Sequence, residues 1–156
     1  RKSVCLAGAK FYKLDDLDGT WDDETNGQTI KAGNHWDFEN FLDEAYMTNN
    51  VDSQLVWDGG ARSLTTMSVP AGLTDAKYVK QFNNYLFLAN VMVSSTSHNS
   101  RIYWSNLKDT STWSATAFID VAKNDGLSFE DFCEWFKSRQ KEPMAVIHFT
   151  DFRYCG

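Results

Sequence analysis

Phe38-Glu39-Asn40-Phe41-Leu42, followed by Ala45, returns as Phe82-Asn83-Asn84-Tyr85-Leu86, followed by Ala89, an offset of 44 residues (82 − 38). Each copy leads to a tryptophan, Trp57 or Trp104, the second interval being three residues longer. The residues involved favour strands over helices. A repeat of roughly 40 to 50 residues with that character is the signature of small β-sheets stacked in series, as in propeller blades. The expected fold is therefore all-β: about three partial propeller-like blades over 1–126, then a short α/β tail over 127–156.

Around the two copies, residues 4 to 121 read as short strands separated by turn chemistry. Lys10 to Leu14 alternates, and Asp15-Asp16-Leu17-Asp18-Gly19 turns the chain. Asn26-Gly27 is the dipeptide that most readily accepts two successive positive-φ positions. Phe41 to Met47 and Gln54 to Trp57 read as the next pair, closed by Asp58-Gly59. Tyr78 to Phe82 and Tyr85 to Val93 flank Asn83-Asn84, a second two-residue turn. Tyr85-Leu86-Phe87-Leu88-Ala89-Asn90-Val91-Met92-Val93 is apolar on both faces for most of its length, as a strand enclosed between neighbouring layers would be. A polar loop then leads to Arg101-Ile102-Tyr103-Trp104-Ser105. Thr20-Trp21 anticipates Thr112-Trp113 at an offset of 92 (113 − 21), close to two repeats. After Gly126 the pattern changes: Ser128 is an N-cap, Phe129, Phe132, Cys133 and Phe136 fall on one helical stripe, and Pro143 ends the helix. Ala145 to Phe149 reads as a strand.

The composition bounds the class. Of 156 residues, 42% are hydrophobic and 15% aromatic, ample for a packed core and incompatible with a disordered or collagen-like chain. A closed propeller needs about four blades or more, so three imply one piece of a larger ring. No apolar run reaches the roughly 20 residues that span a bilayer, and the Arg1-Lys2-Ser3 start reads as truncated or processed. Net charge is −6, distributed as −7 over 1–60, +2 over 61–126 and −1 over 127–156, with no basic face to neutralise phosphates. Cys5, Cys133 and Cys155 are odd in number and far apart, which suggests free thiols rather than a disulfide framework.

Tyr85-Leu86-Phe87-Leu88-Ala89-Asn90, Ser100-Arg101-Ile102-Tyr103-Trp104-Ser105, Thr112-Trp113, Phe118-Ile119-Asp120-Val121 and Asn124-Asp125-Gly126 come in an order that resembles tailed-bacteriophage virion proteins of the tail-hub or tail-nozzle type. Trp57-Asp58-Gly59 fits the same habit, and the likeness covers roughly residues 4 to 126. The resemblance implies a β-bladed structural component of a head-to-tail connector, assembled in several copies in the virion. It implies no turnover, and its partners would be copies of itself and neighbouring tail or portal proteins, with at most passive contact with exiting DNA and none with a membrane. In that family the Asn-Asp-Gly stretch leads into another strand pair, whereas here it leads into the expected helix over 128–140.

Against that background no catalytic, cofactor or metal residue is assigned. The acidic set Asp15, Asp16, Asp18, Asp22, Asp23 and Glu24 offers the oxygens calcium prefers. It fails the EF-hand spacing, because placing Gly19 at the loop glycine puts Leu14 at the first ligand position; a solvated turn is the expectation. His35, His98 and His148 are dispersed without zinc spacing, and no Gly-x-Ser-x-Gly elbow marks a nucleophile. Trp21, Trp36, Trp57, Trp104 and Trp113 could stack on sugars, which keeps a glycan-binding propeller as an alternative, although the Trp57–Trp104 match favours packing between sheets. A third reading is the start of an HNH-type endonuclease: Phe129-Glu130-Asp131-Phe132 and Tyr154-Cys155-Gly156 resemble its opening, but Phe152 stands where its first cysteine belongs.

Overall fold

A computed structural model describes residues 2–114 and 118–120. Among them every regular element is a strand, and the eleven strands form three antiparallel sheets without a helix. The first sheet has β1 (Val4–Ala7), β2 (Lys10–Leu14) and β3 (Trp21–Asp23). The second has β4 (Asp37–Phe41), β5 (Glu44–Thr48), β6 (Leu55–Trp57) and β7 (Thr65–Thr66). The third has β8 (Leu73–Phe82), β9 (Tyr85–Val93), β10 (Thr96–Trp104) and β11 (Phe118–Asp120). Each is a meander in which consecutive strands pair. The expected helix over 128–140, the strand over 145–149 and the boundary at 126 lie outside the described residues.

The repeat is present, but its register differs from the one the phenylalanines suggest. The β4–β5 hairpin turns at Leu42-Asp43 (φ 52° and 63°) and the β8–β9 hairpin at Asn83-Asn84 (φ 47° and 64°). Both are two-residue turns with positive φ at both centres, the kind whose twist matches that of the flanking strands. Aligning them makes Phe41, not Phe38, the counterpart of Phe82. Phe38 sits mid-strand opposite Met47 and is 39% exposed, whereas Phe82 ends its strand opposite Tyr85. The first sheet obeys the same frame, with its turn at Gly8-Ala9. Its Phe11 corresponds to Ala45 and Leu86. Onto these three residues the third strands close at equivalent points: Glu24 N–H donates to Phe11 O (2.9 Å), Trp57 lies opposite Ala45, and Ser105 N–H donates to Leu86 O (2.9 Å).

This frame corrects two further expectations. Trp104 lies opposite Phe87, one step from the position equivalent to Trp57. A one-residue step reverses the face of a strand, so Trp57 is buried in the core between the first two sheets while Trp104 packs on the far face of the third. Trp21 and Trp113 are not equivalent either: Trp21 lies in β3, half exposed, and Trp113 follows the third strand of its sheet and packs on the core below it. The segment before Arg101, expected as a polar loop, is the first half of β10, entered through a positive-φ Ser94-Ser95 turn. Among the described residues β11 pairs with Arg101–Tyr103, and Thr96–Ser100 pair with β9 alone.

Three apolar clusters hold the sheets. Phe11, Ile30, Met47, Leu55, Trp57 and Leu64 fill the space between the first and second sheets. Phe41, Tyr46, Leu86, Leu88, Val91 and Tyr103 are among those between the second and third. Phe87, Ala89 and Ile102 lie on the opposite face of the third. The two-faced apolar character of β9 follows from this, since Leu86 and Leu88 enter one cluster and Phe87 and Ala89 the other, and past the positive-φ Asn90 the face switches so that Val91 joins the first. Polar struts join the same layers. Asp37 accepts Val79 N–H (2.9 Å) and the Lys80 ammonium (2.7 Å), while Asn50 N–H donates to Ala76 O (2.7 Å). Between the first two sheets, Lys31 N–H donates to the buried Asp52 carboxylate (2.9 Å), and Arg62 N–H to the buried Glu24.

Candidate functional site

The acidic segment forms a turn leading into β3, and most of its carboxylates are engaged locally. Asp15 accepts Leu17 N–H (2.8 Å), Asp18 accepts both Thr20 N–H (2.9 Å) and its hydroxyl (2.6 Å), and Asp23 accepts Thr25 N–H (2.9 Å). Asp-x-Thr and Asp-x-Ser sequences form such side-chain turns because the short carboxylate reaches the backbone two residues on. Lys10 closes on Asp23 at 2.6 Å, and its hydrogen bond holds the Asp23 carboxyl well below the usual carboxylate range. Among the described residues no three His, Cys, Asp or Glu side chains converge to hold a metal ion.

Asp109 repeats the device in the loop after β10. It accepts Ser111 N–H (2.9 Å) and hydroxyl (2.7 Å) together with the Thr112 hydroxyl (2.5 Å), and these bonds, Thr112's first, lower its pKa from 3.8 to about 2. A carboxyl depressed in the folded state stabilises above its unfolded value, and that contribution disappears as pH falls through the folded one. The loop is therefore expected to loosen between pH 3.8 and about 2. Asp109→Asn should lower the melting temperature at neutral pH and flatten its decline over that window; equal acid slopes for variant and parent in calorimetry would refute it.

Of the aromatic side chains singled out from sequence, two have their indole N–H groups satisfied internally: Trp57 donates to Gly60 O (2.9 Å) and Trp113 to Thr110 O (3.0 Å). Trp36 is different. It lies one residue before β4, half-buried, with its ring partly packed on the core between the first two sheets, and no hydrogen bond engages its N–H among the described residues. Strand alternation places Trp36, Phe38 and Asn40 on one side.

That side opens on a cleft of about 510 Å³ between β1 and β4, lined by Val4, Cys5 and Leu6 on one wall and by Trp36, Phe38 and Asn40 on the other, with Asn34, His35, Glu39 and Lys2 around them. The cleft exists because the sheets are spaced unequally. β8 lies against both β4 and β5, drawn in by Asp37, whereas β1 makes no comparable approach to β4. Lys2 crosses one end, its ammonium donating to Gly59 O and lying 5.5 Å from the Trp57 ring. Glu39 is turned onto the backbone N–H of Asn40 (3.0 Å), and Asn34 donates to Lys31 O (3.2 Å), leaving its carbonyl oxygen as an acceptor. No hydrogen bond links Cys5, His35 and Glu39 among the described residues. What the cleft offers is aromatic surface bordered by amide and imidazole groups.

Trp36 was legible in the sequence as a stacking candidate; its neighbours His35, Asn34 and Asn40 were not, because the gap they border depends on how far apart two sheets sit. His98 lies in β10, remote from the cleft residues in the fold, and His148, Cys133, Cys155 and the nuclease-like segments 129–132 and 154–156 lie outside the described residues. Comparison of the chain with protein-family models, with curated proteins and with solved structures found no match.

Proposed function

We propose that the chain is a structural component of a tailed-bacteriophage virion, of the tail-hub, nozzle or head-to-tail connector kind, built of propeller-like blades and acting by subunit assembly. The observation that carries this reading is where the resembling motifs fall. Tyr85–Asn90 belongs to β9, Arg101–Trp104 to β10 and Phe118–Asp120 to β11, three consecutive strands of one sheet. Their order in the sequence is the strand order of one antiparallel meander, which is consistent with a blade. Arg101 and Asp120 lock the last two strands through a two-pronged ion pair, with both contacts at 2.7 Å, and the guanidinium lies 4.1 Å from the Phe118 ring. The equivalent hairpins in three successive meanders, packed face to face, support the blade reading. Exposed strand edges such as β3 and β7 are the groups that further blades or neighbouring copies would cover, and closed rings are the ordinary outcome of head-to-tail contacts.

Sedimentation of the purified chain over the micromolar range tests this. The expected outcome is concentration-dependent association into a discrete oligomer with unchanged strand content. A folded monomer at every concentration would overturn the assembly reading.

A further inference from the structure

We propose that the cleft between β1 and β4 is a binding site for a neutral oligosaccharide, with Trp36 and Phe38 as the stacking surface and Asn34, His35 and Asn40 supplying hydrogen bonds. A pyranose ring has an apolar face of C–H bonds and an equatorial belt of hydroxyls, so its receptor needs a flat ring beneath and short polar groups at the side. Aromatic side chains with a polar handle suit this requirement. The cleft meets both halves of it. Phe38 is 39% exposed in the middle of a strand, where an ordinary core-facing position would be covered, and it projects on the same side as Trp36. A single exposed aromatic needs no explanation. Here two of them line one concavity beside an indole N–H with no hydrogen bond among the described residues, an amide oxygen and two further polar side chains.

The volume, about 510 Å³, falls within the range of roughly 300–1,000 Å³ typical of small-ligand sites. Charge selects the class of ligand. The lining holds one permanent cation, Lys2, and one anion, Glu39, so neither a phosphate chain nor an acidic polymer finds a positive excess. The other four candidate tryptophans are set aside by geometry: Trp57 and Trp113 have committed N–H groups and core packing, Trp104 packs on the far face of the third sheet, and Trp21 lies on an outer strand that lines no part of this cleft. The inference does not rest on the virion reading, since the cleft is formed within one chain.

Chitotriose and maltotriose, titrated separately into the full 156-residue chain with ¹⁵N-labelled tryptophan, test it, with a thymidine oligonucleotide as the rival probe. Saturable binding of at least one trisaccharide is expected, with the Trp36 indole N–H resonance moving and those of Trp57 and Trp113 stationary. Trp36→Ala and Asn40→Ala should each weaken binding about tenfold or more, as loss of a central contact does, while Trp21→Ala leaves it unchanged. Asn40 is exposed, so its variant tests the site even if Trp36→Ala fails to fold. Absence of saturation by both sugars, binding of the oligonucleotide instead, or sugar affinity that survives Asn40→Ala would overturn the proposal. A monomer that binds sugar would sink the assembly reading and leave this one standing.

Discussion

Replacing Phe11 by alanine is expected to cost about 3–5 kcal/mol, the range for removing a fully buried aromatic ring, and to release the first sheet while the third stays folded. Phe11 is fully buried, and it is the one residue in β1–β3 that is. Its ring meets Trp57 edge-on at a centroid distance of 5.5 Å, and through it the small sheet joins the core it shares with the second. The remaining contributions from that side are the partly buried Val4 and Leu6 on the apolar part and the contacts of the buried Glu24 and Asp52 with Arg62 and Lys31 on the polar part. Hydrogen bonds to carboxylates contribute about 1.5–3 kcal/mol each, so the loss of about 3–5 kcal/mol at Phe11 offsets most of what they supply. Stability is not uniform across a structure, and this boundary is where it should divide. Hydrogen exchange should show β1–β3 amides losing protection in the variant while β9 retains it. Equal loss in all three sheets would show that the chain unfolds as one unit and that the division is wrong.

Leu88→Ala should act differently, lowering global stability by about 2–5 kcal/mol and unfolding every sheet in one transition. Leu88 is fully buried in β9, which is paired along most of its length with β8 and β10 and whose side chains enter two apolar clusters. Its own cluster joins the second sheet to the third, so the cavity it leaves weakens the junction that the rest of the molecule depends on. Typical domains have only about 5–15 kcal/mol to lose, and a change of this size shifts the denaturation midpoint strongly. Tryptophan fluorescence and strand circular dichroism should move together in a urea titration. A midpoint change corresponding to less than about 1 kcal/mol, the ordinary size for an uncritical substitution, would show that this cluster is not the common core.

Much of the fold can be read from residue types because it rests on local chemistry. Asn83-Asn84 tolerates positive φ, so that hairpin and the strands on either side are legible. The continuous apolar run of β9 announces burial on both faces. Leu42-Asp43 adopts the same turn without glycine or asparagine; nothing local marks it, and the repeat therefore aligns on Phe38 when the chain aligns on Phe41. The polar first half of β10 reads as a loop for a similar reason, since nothing local marks Ser94-Ser95 as a turn and it is the pairing with β9 that makes the segment a strand.

What the order of amino acids determined alone was the material: strands of period two, turns at Asp, Asn and Gly, an apolar complement large enough for several small sheets, and a repeat of about the right length. Only the tertiary structure decided which phenylalanines are equivalent, which face each tryptophan takes, and that the first two sheets part at β1 and β4 while the second and third close on Asp37. These are properties of separation between surfaces distant in sequence. A one-step change in register or a slightly wider gap alters them while leaving every local preference satisfied.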